Sequence, residues 1–214
     1  MRLFAVLRLL ILVFLFGVWS CATAPQTVNP YFEMPPEHLL ITEQKLFSLA
    51  LNQQKNNKLK SSIGRWTRFL GNNPRSFRGY NNLGMAYYAN GQLSLARSTF
   101  ETGLDLEPFD KKIKDNLKRT LRFQVTLLRE NKDYDAAIQS LKRLAKLSEE
   151  SERKKVVLQI QKMVSNIFEQ VKRSNSLEEY EVFLAQYPNS LGHADEARRR
   201  IERIKSQKSR MAKP

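Results

Sequence analysis

From about residue 40 onward, apolar residues return every three or four positions. Residues 151–173 show this most plainly, with Val156, Val157, Ile160, Met163, Val164, Ile167, Phe168 and Val171 on one stripe. A 3.6-residue period of this kind predicts an amphipathic helix. Within 80–108, Leu83, Tyr87, Leu93 and Phe100 make the apolar seam, and Gly91 punctuates the turn between Tyr87 and Leu93. That arrangement predicts two antiparallel helices joined by a tight turn. Gly84 and Ala96 are small where the helices would cross, and Pro108 ends the second helix. The start of the chain reads differently. Residues 9–19 are unbroken apolar, and four prolines (Pro25, Pro30, Pro35, Pro36) follow within 22–36.

The helical pattern also repeats. Shifting by 34 residues carries Pro108 to Pro74, Phe100 to Trp66, Leu93 to Leu59, Leu83 to Leu49 and Gly84 to Ala50. Ala96 falls on Ser62, still small, whereas Tyr87 falls on Gln53, a departure. Shifting the other way by 41 carries Leu93 to Tyr134, Ala96 to Ala137, Phe100 to Leu141 and Tyr80 to Leu121. This third copy departs more, with Gln124, Val125 and Glu149 at the positions of Leu83, Gly84 and Pro108. Its seven extra residues, 111–117, amount to two helical turns and predict a long first helix.

The spacing of Tyr80, Leu83-Gly84, Tyr87, Gly91, Leu93, Ala96, Phe100 and Pro108 closely resembles the tetratricopeptide repeat. The resemblance implies an all-α fold, a helical-hairpin solenoid of tetratricopeptide type across 40–204. Its repeats are expected at about 43–76, 77–110 and 118–151, with C-terminal helices over 151–204. The stretch FLAQYPNSLGHADEA, within 180–204, resembles the last repeat of envelope lipoproteins such as the β-barrel assembly lipoprotein and the Tol-Pal coordinator. There Pro188 is expected to break one helix and Asn189 or Ser190 to cap the next. Residues 205–214 contain no acid and little to bury, and are read as a disordered basic tail.

The apolar run at 9–19 follows Arg2 and Arg8 and precedes small residues, the pattern of a secretory signal. It is too short for the roughly 20 residues of a spanning helix. Cys21 is the sole cysteine, too few for an internal disulfide in an exported chain. Val18-Trp19-Ser20-Cys21 resembles the lipobox of bacterial lipoproteins, although Trp19 is bulkier than that pattern usually shows. The resemblance implies cleavage after residue 20, acylation of Cys21, and, with Ala22 following, an outer-membrane anchor facing the periplasm. Residues 21–39 are read as a proline-rich tether between lipid and solenoid.

Charge narrows the partners. The chain carries 36 basic and 21 acidic residues, a formal charge of +15. Without residues 1–20, which hold Arg2 and Arg8, the balance is still +13. Export, and the lack of aromatics among the basic segments, exclude nucleic acid from this reading. Acidic protein segments, anionic lipid or cell-wall polymer suit it better.

No chemistry suggests an enzyme. Only His38 and His193 could act as imidazoles, and there is no glycine-rich phosphate loop or nucleophile motif. His193 and Glu196 have helical metal-ligand spacing but lack a third partner, so neither metal nor cofactor is expected.

In the tetratricopeptide family the groove is lined by the first helix of each pair, at steps of three, four and three. The second repeat then offers Arg78, Asn81, Met85 and Tyr88, and the third Arg119, Arg122, Thr126 and Arg129. The first offers Gln44, Phe47, Leu51 and Gln54, an apolar end. Some repeat proteins clamp a C-terminal carboxylate with Lys and Asn of the first repeat. Phe47 and Leu51 stand there instead, although Asn82 and Arg119 fit the pattern. The expected function is a non-enzymatic, lipid-anchored adaptor that binds other proteins of an envelope assembly, including an acidic peptide segment. The alternative is a cationic factor binding cell wall or lipopolysaccharide.

Overall fold

Among the residues described by the computed structural model, 30–211, nine helices follow one another without a strand. They are α1 Ile41–Lys55, α2 Leu59–Asn72, α3 Phe77–Ala89, α4 Leu93–Leu106, α5 Lys111–Glu130, α6 Tyr134–Leu147, α7 Glu150–Ser174, α8 Leu177–Gln186 and α9 His193–Met211. By contacts the chain divides into Met1–Phe32 and Glu33–Pro214, and the second unit carries all nine. The residues expected to form a signal sequence, 1–20, and Cys21 lie outside the described residues. No helix among the described residues is long and apolar enough to cross a membrane.

Each helix packs against the next in sequence, which builds antiparallel hairpins α1–α2, α3–α4 and α5–α6. Helix α3 also touches α1 and α5, so the first helices of the hairpins share one inner layer. In the first hairpin, the rings of Phe47 and Trp66 meet edge-on at 4.6 Å, and Phe69 completes the cluster at 5.2 Å from Phe47. All three are fully buried. Trp66 donates its indole N–H to Gln54 Oε1 at 2.8 Å, so the ring is buried without an orphaned donor. The expectation of an apolar groove at this end is therefore overturned. Phe47 and Leu51 fill the core between α1 and α2 and present no open surface.

The second hairpin shows why its small residues are required. A Cβ on Gly84 would lie 2.6 Å from the Phe100 ring, which is itself fully buried. Gly91 takes φ +75° at the hairpin turn, and Asn57 (φ 58°) and Lys132 (φ 61°) hold the same place in the neighbouring hairpins. At each turn the next residue donates back five positions: Lys58 to Gln53, Gln92 to Tyr87, and Asp133 to Leu128. The αL residue and this bond together form the Schellman ending of a helix. Three N-termini are capped by side chains: Ser76 accepts from Gly79, Asp110 from Ile113 and Asp133 from Ala136.

Helix α5 spans 20 residues and contains the whole of 111–117, as the insertion predicts. Beyond it, Phe168 of α7 meets Phe183 at 4.9 Å and Tyr180 at 6.4 Å, a second aromatic core that seats α8. Neither expected cap of the last helix forms, since α9 begins at His193 and Ser190 Oγ donates to the Tyr187 carbonyl. The tail expected to be disordered is helical through Met211. Lys205 bonds Glu181 of α8 at 2.8 Å, and Lys208 and Arg210 lie in the last turn, where cations favour the helix dipole.

Candidate functional site

The inner layer carries a line of amides. Asn116 of α5 donates to Asn81 Oδ1 at 2.8 Å, and Asn81 donates to Asn82 Oδ1 at 3.2 Å. All three residues are fully buried. Buried polar groups are stable only when bonded, and a chain of amides fixes the orientation of its last member. Here that member is Asn82. Its Nδ2 donates to the backbone carbonyl of Glu33 at 2.9 Å, and its Oδ1 accepts from the Glu33 amide at 2.8 Å. One side chain thus satisfies both backbone groups of a residue that lies outside every helix.

The Glu33 carboxylate is held beside this clamp. Its Oε1 lies 2.9 Å from Lys112 Nζ, and its Oε2 lies 3.9 Å from Arg78 Nε. Its side chain is only 12% exposed, so the pairing operates partly shielded from water, where opposite charges attract more strongly. Arg78 also reaches the Met34 carbonyl at 3.5 Å, and its guanidinium lies over the Phe77 ring at 5.6 Å.

Farther along the layer, the Arg119 guanidinium lies 4.8 Å over the Tyr88 ring and touches Met85 Sδ at 3.1 Å. Tyr88 in turn meets Phe123 at 6.0 Å. Arg122 and Lys118 both bond the Glu152 carboxylate, linking α5 to the start of α7. Partial burial of Glu152 resists ionisation, but bonds from Lys118, Ser148 and Arg122 outweigh it and hold this carboxyl below the usual carboxylate range. Arg129 is exposed at the rim of a cleft of about 520 Å³ between α5, α6 and α7, lined also by Tyr134, Gln159 and Met163.

The expected groove residues therefore separate into kinds. Arg78 faces the extended segment, and Tyr88 with Arg119 forms a stacked, partly open patch. Asn81 and Met85 are buried supports rather than contact residues. Arg122 is committed to Glu152, and Arg129 stands apart at the far end. Two contact residues lie outside the groove positions expected at steps of three, four and three: Asn82, which the sequence marks only as fitting the carboxylate-clamp pattern, and Lys112. Asn82 follows Arg78 by four positions and precedes Met85 by three, a spacing as helical as the one assigned to Asn81. Lys112 sits in the insertion and so had no partner position in the other repeats.

The tether reading of 21–39 also needs correction. Residues 33–36 have no regular structure, yet residue 33 is fastened to α3 and α5. Its amide and carbonyl find partners on Asn82 that a free spacer would leave to water.

His193 accompanies a different cleft, of about 690 Å³, beside Tyr187, Pro188 and Leu191. Its Nε2 lies 2.9 Å from Ser165 Oγ and its ring 4.8 Å from Phe168. Glu196 pairs with Arg200 at 2.8 Å, and no group of three metal-ligating side chains occurs among the described residues.

Residues 47–111 match the tetratricopeptide repeat family. No curated protein is similar enough to count as a sequence relative. Among solved structures, the chain is similar to the Yersinia enterocolitica type III secretion chaperone SycD in complex with a peptide of the translocator YopD. That likeness is 19% in identity with a TM-score of 0.40, over 66% of this chain and 100% of the other. It is also similar to the MamA protein, at 14% identity and a TM-score of 0.40, over 81% and 96% of the two chains. Among the described residues the chain is an all-α helical-hairpin solenoid, and residues 47–111 of it match the tetratricopeptide repeat family.

Proposed function

We propose that this chain is a non-enzymatic adaptor that binds an extended, acid-bearing segment of a partner protein on its inner layer, and that it works in a bacterial envelope on a lipid anchor at Cys21. The carrying observation is the set around Asn82, Arg78 and Lys112. Asn82 bonds backbone N–H and C=O together, which any extended peptide offers, while the two cations select a carboxylate. Solenoids commonly present such concave surfaces to partners. Tyr88, Arg119 and Phe123 continue the surface with aromatic and cationic contacts of the kind enriched in interface cores. The anchor rests on the sequence alone: the basic start, the apolar run, and a lone cysteine closing a lipobox-like stretch. In this reading the partner belongs to an outer-membrane assembly, pilus or secretion machine.

The test is photo-crosslinking in living cells from position 123, which is 41% exposed beside Tyr88, with Leu95 on the outer helix α4 as control. A discrete protein adduct from position 123 and not from 95 is expected. Equal labelling from both, or capture of glycan or lipid alone, would favour the cationic polymer-binding alternative. In the same cells a clickable fatty acid should label the wild type and not Cys21→Ser, and labelling of neither would remove the anchor.

A further inference from the structure

We infer that residues 33–36 are a built-in occupant of the partner site, a strap that a partner's acidic segment must displace. This rests on the groove reading above and adds its regulation. Residue 33 follows a proline-rich stretch, and residues 33–36 have no regular structure and lie outside every helix. Their long-range polar contacts run to α3 and α5, across 44 to 79 residues of sequence, and among the described residues not to the adjacent α1. Those contacts are the ones a ligand would make: two backbone bonds to Asn82 and one carboxylate between Arg78 and Lys112. They are polar and exchangeable. Met34 is 50% exposed, so no large apolar side chain locks residue 34 in place. Pro35 and Pro36 fix φ and keep the segment extended, which lowers the ordering cost of docking.

Tethering then sets the threshold. A segment joined to its own site by a short connection competes at an effective concentration of about millimolar. A weak acidic peptide is thereby excluded. A partner that supplies the same backbone and carboxylate plus contacts at Tyr88, Arg119 and Phe123 can replace the strap. The exchange swaps like bonds for like, so little net interaction is lost when the strap leaves. Release would free the chain before residue 37 and so lengthen the reach between the solenoid and whatever precedes it.

The experiment uses the purified full chain and a fluorescein-labelled peptide of residues 29–37, NPYFEMPPE, read by anisotropy. Glu33→Pro removes both the amide that Asn82 accepts and the carboxylate, at a position outside the helices. The peptide should bind Glu33→Pro at least tenfold more tightly than wild type, and Lys112→Glu added to Glu33→Pro should abolish that gain. Glu33→Arg, which sets a cation against Arg78 and Lys112, should behave as Glu33→Pro does and serves if the proline variant misfolds. Equally tight binding to wild type and both variants would overturn the strap while leaving the groove intact. Failure of the peptide to bind any folded variant would overturn the groove and the strap together.

Discussion

At the scale of residues, steric demands are legible in the sequence and long-range pairings are not. Gly84 declares itself because a tetratricopeptide-like crossing needs a missing side chain there, and the structure puts the Phe100 ring 2.6 Å from where its Cβ would be. Gly84→Ala should therefore destabilise the fold by about 2 kcal/mol through overpacking of a buried ring. Urea denaturation would measure it, and a change within 0.5 kcal/mol would mean that the hairpin separates freely. Asn81 and Asn82 were harder to tell apart. Adjacent helical positions differ by about 100° of rotation, and which one faces the groove depends on the crossing of α3 with α5. Arg122 looked like a groove cation because nothing local announces its bond to Glu152, 30 residues away. Glu33 was hidden for the same reason, at 49 residues from Asn82.

At the scale of elements, the repeated turns explain why the hairpins were readable. Asn57, Gly91 and Lys132 occupy equivalent αL positions at spacings that match the two sequence offsets, 34 and 41 residues. The insertion lengthens α5 by two turns, and that extension carries Lys112 to Glu33. The end of α9 was missed because its stabilising partner, Glu181, lies on another helix. The α5–α7 junction is where pH enters. The Glu152 carboxyl is held below its ordinary value of 4.5, against the pull of its partial burial, by Lys118, Ser148 and Arg122. Its contribution is therefore complete at neutral pH, declines below about pH 4.5, and is lost as pH falls through the lowered folded value. Glu152→Gln should lower Tm at pH 7 and flatten its acid limb. A Tm-against-pH curve parallel to the wild type would show that Glu152 does not staple the two helices.

At the scale of the whole molecule, the solenoid sets an inner layer of amides, cations and aromatics against an outer layer of helices that closes the core. The net charge of +15 is consistent with acidic partners but does not choose among them. In the function proposed above, the choice comes from Asn82, which bonds both the backbone N–H and C=O of Glu33, groups that a simple anion does not offer. Hydrogen exchange at the Glu33 amide, followed by NMR on the full chain, bears on this point. Glu33 lies outside all helices, yet its N–H is given to Asn82 at 2.8 Å. Exchange there should be slowed at least tenfold relative to an unstructured peptide of the same sequence, and Lys112→Glu should return it toward the free rate. An amide that exchanges at the free-peptide rate in the wild type would contradict both the docked segment and the peptide-binding character of the groove.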